Sequence, residues 1–229
     1  MRILLADEHT LFREGLRLIL ERAGHEVVGE AGDGHEACEL AKTVKSDIAL
    51  LDVSLPLLNG IEVARELRKI APETKSVMLT MYPDRAYVLQ SLKAGAKAYV
   101  LKSQVSEDLL RAIREVSLGE VYLSAGVAAS VVEAYLDDSG KAPDPLTSRE
   151  RQVLQLVAEG NSTRKAAEML NISLKTAESH RYRVMKKLKI HDAVGLVRHA
   201  VQSGLVHIRT PAEMRGTPPF PLPPANVPH

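Results

Sequence analysis

The chain has 229 residues, 45% of them apolar, and a net charge of +1, a length that suits two modest domains better than one. No apolar run approaches the roughly 20 residues that a membrane-spanning helix needs, and Met1-Arg2 leads directly into Ile3-Leu4-Leu5 without the pattern of a secretory leader. Cys38 is the single cysteine, so an internal disulfide is excluded, nothing indicates an oxidising compartment, and a cytoplasmic protein is expected. It falls in a helical stretch, where an inert half-buried thiol is a simpler reading than a nucleophile.

Charge is unevenly spread. Residues 1–136 hold 16 Lys/Arg against 20 Asp/Glu, net −4, whereas residues 146–209 hold 12 against 5, net +7. A basic domain beside an acidic one points to a polyanion met by the second alone. Charge by itself also fits a plain solvated surface.

Short apolar runs at Arg2–Ala6, Glu26–Ala31, Ile48–Leu51, Ser76–Thr80 and Ala98–Leu101 alternate with helical patterns. Examples are Leu11, Leu16, Ile19 and Leu20, then Ile61, Val63, Ala64 and Leu67, then Leu109, Leu110, Ile113 and Val116. Continuous apolar strands separated by helices predict an α/β fold with a doubly wound, five-stranded parallel sheet, covered on both faces. Its functional crevice should lie beyond the carboxyl ends of the strands. Residues 1–120 are assigned to this domain. Residues 121–145 are read as a helix, about Ser124–Leu136, and a Gly/Pro linker. Residues 146–208 show helical periods only and form a small all-α, four-helix domain. The tail, 209–229, carries seven of the twelve prolines and reads as disordered or polyproline-like.

Acidic residues fall where strands end. Asp7 and Glu8 follow the first run and Asp52 follows Ile48-Ala49-Leu50-Leu51, so three carboxylates converge at one crevice. They would repel one another unless a hard cation with oxygen ligands, Mg²⁺ beside phosphate, sat among them. Thr80 ends the fourth run and Lys102 follows the fifth, adding a hydroxyl and an ammonium. Singly, each is a helix cap, a turn residue or a surface lysine. Together, in register, they predict phosphoryl transfer to a carboxylate.

Residues 1–120 resemble the receiver domain of bacterial two-component response regulators. The likeness rests on Leu5-Ala6-Asp7-Glu8-His9, Leu51-Asp52-Val53-Ser54-Leu55-Pro56-Leu57-Leu58-Asn59-Gly60, Leu79-Thr80 and Ala98-Tyr99-Val100-Leu101-Lys102-Ser103. It implies that Asp52 accepts phosphate from a sensor histidine kinase. Asp7, Glu8, Asp52 and the Ser54 backbone carbonyl would hold Mg²⁺. Thr80 would bond the phosphoryl group, Lys102 would pair with it, and Tyr99 would be a switch that turns inward with Thr80. Tyr99 also fits a plain strand-edge aromatic. Two features depart from the pattern. Glu8 stands where Asp is common, and Ser54 and Tyr82, two residues beyond Asp52 and Thr80, are neither amide nor carboxylate. A long-lived phosphoaspartate is the expectation.

In the basic segment, Thr147 and Glu150 form a capping box ahead of Val153, Leu154, Leu156, Val157 and Ala158, and that helix should stop near Gly160. Ser162 can cap a second helix, Asn171 makes a turn, and Ser173 caps a third helix running to about Leu188. A fourth spans about Asp192–Ser203 and ends at Gly204. Two short helices around a tight turn, the second fringed with polar and basic groups, predict a helix-turn-helix. A helical protein-interaction module with a solvated basic face is the alternative.

This segment is similar to the LuxR-type DNA-binding domain through Leu146-Thr147-Ser148-Arg149-Glu150-Arg151-Gln152-Val153-Leu154, Glu159-Gly160-Asn161-Ser162, Ile172-Ser173-Leu174-Lys175-Thr176-Ala177-Glu178-Ser179-His180 and Met185-Lys186-Lys187-Leu188. The likeness implies base-facing Glu178, Ser179 and Tyr182, and phosphate contacts from Lys175, Thr176, Arg183 and Lys186. Ala177 stands where Val is usual. Arg181 stands where an apolar residue is common and is expected to snorkel towards DNA or solvent. The family pairs its DNA-bound domains through the last helix, and Val194, Leu196, Val197 and Val201 fit either that contact or the core.

The two likenesses together give a NarL/FixJ-type response regulator. They imply that phosphorylation of Asp52 controls homodimerisation and binding to double-stranded DNA, hence transcription. No enzymatic activity is expected beyond the domain's own phosphotransfer and dephosphorylation. One rival is a constitutive transcription factor with a vestigial receiver. Another is a metal-dependent phosphohydrolase with an aspartyl nucleophile, which needs an acid where Ser54 stands. Gly29, Gly32 and Gly34 follow the second strand with the wrong spacing for a dinucleotide fingerprint.

Overall fold

The computed structural model describes residues 1–81, 85–103, 106–124, 127–128 and 145–206. Tyr82, the Gly/Pro linker up to residue 144 and the Pro-rich tail lie outside these residues, as does the helix expected over Ser124–Leu136 apart from Ser124 and a helical Val127-Ala128.

The first domain runs β1 (Arg2–Ala6), α1 (Thr10–Arg22), β2 (Glu26–Ala31), α2 (Gly34–Thr43), β3 (Ile48–Asp52), α3 (Gly60–Ile70), β4 (Lys75–Thr80), α4 (Arg85–Ala94), β5 (Ala98–Leu101), α5 (Ser106–Ser117) and β6 (Tyr122–Leu123). The strands form one sheet in the order β2-β1-β3-β4-β5-β6, with every pairing parallel. The five-stranded expectation is thus corrected to six. β6 is too short to leave an apolar run in the sequence; it adds to the edge beyond residue 120 through the Tyr122 N–H, which donates to the Lys97 carbonyl at 3.0 Å.

Alternate strand residues face opposite layers, as the pleat requires. Ile3, Leu5, Ile48, Leu50, Val77 and Val100 pack against Leu16 and Leu20 of α1 and Leu109, Ile113 and Val116 of α5. Leu4, Ala49, Leu51 and Met78 face the other way, onto Ala37, Ala41, Leu67 and Val88 of α2, α3 and α4. Polar strand ends therefore gather at one edge of a sheet buried on both faces.

The second domain comprises α6 (Ser148–Ala158), α7 (Thr163–Met169), α8 (Leu174–Leu188) and α9 (Ala193–Gln202). The capping box forms: the Thr147 side chain accepts from the Glu150 N–H at 3.3 Å, and the Thr147 N–H donates to Glu150 Oε2 at 2.8 Å. Ser162, Ser173 and Asp192 cap α7, α8 and α9. Asn171, with φ of 52°, makes the left-handed turn between α7 and α8 that a short amide side chain tolerates. Leu146, Leu154, Val184, Leu196 and Ala200 form a common core. Leu196 therefore belongs to that core, whereas Val194 is 68% exposed.

Candidate functional site

β1 and β3 are neighbours, so Asp7, just past β1, and Asp52, the last residue of β3, stand side by side and buried. Lys102 reaches across from the end of β5: Nζ lies 2.6 Å from Asp7 Oδ2 and 2.8 Å from Asp52 Oδ2. Its backbone N–H donates to the Thr80 carbonyl at 2.7 Å, which ties the ends of β4 and β5 together. The Phe12 ring closes over the ammonium with its centroid 4.7 Å from Nζ. The backbone N–H groups of His9 and Ser54 donate to Asp7 Oδ1 at 2.9 Å and to Asp52 Oδ1 at 3.2 Å.

Two carboxylates and one ammonium leave this buried cluster with an excess of negative charge. Burial raises the Asp52 pKa above its ordinary value; Asp7 adds to the effect and Lys102 opposes it. Burial alone would lower the Lys102 value, but the pull of Asp52 and Asp7 outweighs it and raises it instead. Asp52 thus holds its proton more firmly because it is buried, and Lys102 because two carboxylates face it.

Asp7, Asp52 and His9 bring ligand atoms within 4.8 Å of one another. Glu8 lies on the rim, 4.0 Å from His9 Nε2, and lines the crevice mouth with Ser54. The donors suit a hard divalent cation. Of the expected metal ligands, the structure brings Asp7 and Asp52 together directly and sets Glu8 and Ser54 at the mouth. It adds His9, whose Nδ1 is 3.4 Å from Asp7 Oδ1. His9 stands in the first motif, but no spacing rule signals that the imidazole turns back to the carboxylates.

Close packing holds the loop after β3. A Cβ on Gly60 would run into the Asp52 carbonyl oxygen, and one on Gly34 into the Leu58 carbonyl. Leu57 takes a φ of 64°, and the Leu58 N–H donates to the Pro56 carbonyl at 2.7 Å across it, a strained turn of the kind found at functional sites. Thr80 is fully buried, and Tyr99 is turned inward into the apolar cluster with Met78 and Tyr87.

In the second domain Ala177 and Val184 face the core, leaving Lys175, Thr176, Glu178, Ser179, Tyr182, Arg183 and Lys186 exposed along α8. Arg181 does not run out to solvent or DNA as expected. It is part-buried and donates to Thr163 Oγ1 at 2.9 Å, satisfying its charged head at the start of α7.

Residues 3–114 match the response regulator receiver domain family, and residues 144–200 match the bacterial regulatory proteins of the luxR family. The chain is 36% identical to the transcriptional regulatory protein MctR of Rhizobium johnstonii, across 90% of this chain and 95% of that one. It is 33% identical to the response regulator UvrY of Escherichia coli, across 92% and 98%. Among solved structures it is similar to RcsB of Salmonella enterica, bound to promoter rprA in the presence of the phosphomimetic BeF3⁻, with 25% identity, 87% and 97% coverage and a TM-score of 0.59. The chain belongs to the NarL/LuxR family of response regulators. As a two-component response regulator it regulates transcription.

In this response regulator, residues outside the sequence-level site join the two domains. Arg151 Nε of α6 lies 2.6 Å from Glu62 Oε1 of α3, and Glu62 also takes the Arg65 guanidinium. Gln155 Oε1 accepts from the Asn59 N–H at 3.2 Å, and Asn59 Nδ2 donates to the Leu205 carbonyl at 3.3 Å. Asn59 and Gln155 appear in or beside the quoted motifs, but only the fold shows that they meet. Burial holds the Glu159 carboxyl above its ordinary value; Gln155 opposes this and Glu8, across the cleft, reinforces it. Among the described residues, no helix is long and apolar enough to cross a membrane.

Proposed function

We propose that this protein is cytoplasmic, that a sensor histidine kinase phosphorylates it at Asp52, and that the phosphorylation promotes pairing of two copies of the chain on double-stranded DNA. The observation that carries this is the Asp7–Lys102–Asp52 cluster at the carboxyl edge of the sheet. Asp52 offers the attacking carboxylate oxygen, and the donor's bond to phosphorus breaks as the new oxygen–phosphorus bond forms. Lys102 moves its charge from the carboxylates to the phosphoryl oxygens, and Thr80 bonds one of them. Asp7, Asp52, Glu8 and the Ser54 carbonyl would hold Mg²⁺, with His9 adjacent, and the ion would supply the positive charge the cluster lacks. Thr80 and Tyr99 relay the change to the face built by β5 and its flanking helices.

On the DNA side, Glu178, Ser179 and Tyr182 meet base edges while Lys175, Thr176, Arg183 and Lys186 hold phosphates. The exposed Val194 of α9 suits the contact between copies.

Incubation with acetyl phosphate and Mg²⁺ should add one phosphoryl mass to the intact protein and none to Asp52→Asn. DNA affinity at fixed salt should then rise for the phosphorylated protein. Equal affinity of phosphorylated wild type and Asp52→Asn would refute the switch. Ser54 and Tyr82 offer no amide or carboxylate to orient water, so the label should outlast seconds. Turnover of small phosphate esters is not expected, and its appearance would favour the phosphohydrolase reading.

A further inference from the structure

His9 closes the first acidic motif, and the helix it begins does not use its side chain. It occupies the N-cap of α1, where Ser, Thr, Asp or Asn would accept an N–H of the first turn, yet the imidazole makes no cap hydrogen bond. Its backbone N–H donates to Asp7 Oδ1 at 2.9 Å, which fixes the ring beside that carboxylate. Nδ1 then lies 3.4 Å from Asp7 Oδ1 and Nε2 4.0 Å from Glu8 Oε1, both longer than a formed hydrogen bond. One ring nitrogen and one oxygen each from Asp7 and Asp52 lie within 4.8 Å of one another. Donors about 2.1 Å from a shared ion stand about 3.0–3.4 Å apart in an octahedral or tetrahedral shell. The Asp7–His9 separation is therefore that of two ligands to one cation. Asp7 is buried, whereas the His9 side chain is 57% exposed, so the ring can adjust without repacking the core.

We propose that His9 is a nitrogen ligand to the cation at Asp7 and Asp52, and that it tunes the site towards the first-row transition ions Mn²⁺ and Co²⁺ over Mg²⁺. The proposal rests on Asp7 and Asp52 as the seat of a divalent cation. Carboxylates and a backbone carbonyl alone make an all-oxygen site of the kind Mg²⁺ fills. An imidazole changes that preference. Affinity for a nitrogen donor rises from Mn²⁺ to Co²⁺, while Mg²⁺ gains little from the ring and keeps water in its place. Lys102 contacts the Oδ2 atoms of both aspartates, and His9 approaches Asp7 from Oδ1. Ring and ammonium therefore do not compete for the same Asp7 oxygen. Mg²⁺ still binds through the carboxylates, and His9 sets how far the other ions outrun it.

The test uses the full chain without a phosphodonor. Mg²⁺, Mn²⁺ and Co²⁺ are titrated by calorimetry into wild type, His9→Ala and Asp7→Asn. Protein loaded with Mn²⁺ is also studied by electron spin-echo spectroscopy, which detects a directly bound nitrogen. His9→Asn, which keeps an N-cap side chain but no imidazole, takes the place of the alanine variant should that one fold poorly. Binding abolished by Asp7→Asn defines the site. For that binding, loss of the imidazole should weaken Mn²⁺ about tenfold and Co²⁺ more, and leave Mg²⁺ within about twofold. The nitrogen signal of wild type should vanish with it. A merely structural role would weaken all three ions alike. Equal losses for the three ions, or Mn²⁺ bound to wild type without nitrogen coupling, would overturn His9 as a ligand and leave the carboxylate site standing. Failure of every ion to bind wild type at millimolar concentration would overturn the cation site as well.

Discussion

Asp52 sits in a place that suits chemistry better than folding. Its raised pKa means that ionisation opposes the folded state: the cost is absent below the ordinary value of 3.8, grows as pH rises, and is complete above the raised folded value. Asp52→Asn should therefore raise the melting temperature at neutral pH while abolishing labelling, leaving Lys102 a simple pair with Asp7. A lower melting temperature would contradict this account of the cluster. Gly60 is constrained differently, by the Asp52 carbonyl against it. Gly60→Ala must displace the end of β3, and about 1–3 kcal/mol of stability should be lost in urea unfolding, together with labelling rate. At this scale the sequence was informative: Asp7, Asp52, Thr80 and Lys102 could be placed because strand ends were legible from apolar runs. His9, Asn59, Glu62 and Gln155 were not, because their partners depend on side-chain direction and on a second domain.

Helix caps were the clearest local signals. Thr147, Ser162, Ser173 and Asp192 each accept a hydrogen bond three residues on, chemistry that reads directly from residue type and spacing. The two-residue β6 left no such trace, since its pairing comes from the sheet edge rather than from its own sequence. Glu150 does more than cap α6. Lys187 Nζ of α8 lies 2.6 Å from its carboxylate. Burial works against the charge of Glu150, but Lys187 and Thr147 outweigh it and lower its pKa. Its contribution is thus fully present above its ordinary value of 4.5 and is lost as pH falls through the lower folded value. Glu150→Ala should cost about 1–3 kcal/mol at neutral pH and less in acid, in denaturation followed by circular dichroism. On α8, replacing Lys175, Arg183 or Lys186 by alanine should reduce the salt slope of DNA binding by about one each. An unchanged slope would remove that side chain from the phosphate contacts.

For the molecule as a whole, the division into an acidic α/β domain and a basic helical one was visible in composition and period alone, because charge balance and apolar spacing are properties of each stretch of sequence by itself. Their mutual placement was not: Gln155 and Asn59 are 96 residues apart, and no pattern links them. Arg181 failed as a sequence expectation for the same reason, since Thr163 reaches it only through the packing of α7 on α8. Cys38 carries a practical corollary. Burial, reinforced by Glu66, pushes its thiol up to about 11, so at neutral pH it is protonated and shielded from alkylating reagents. Fluorophores or spin probes could be attached to two cysteines introduced one in each domain, with the native thiol left in place and silent.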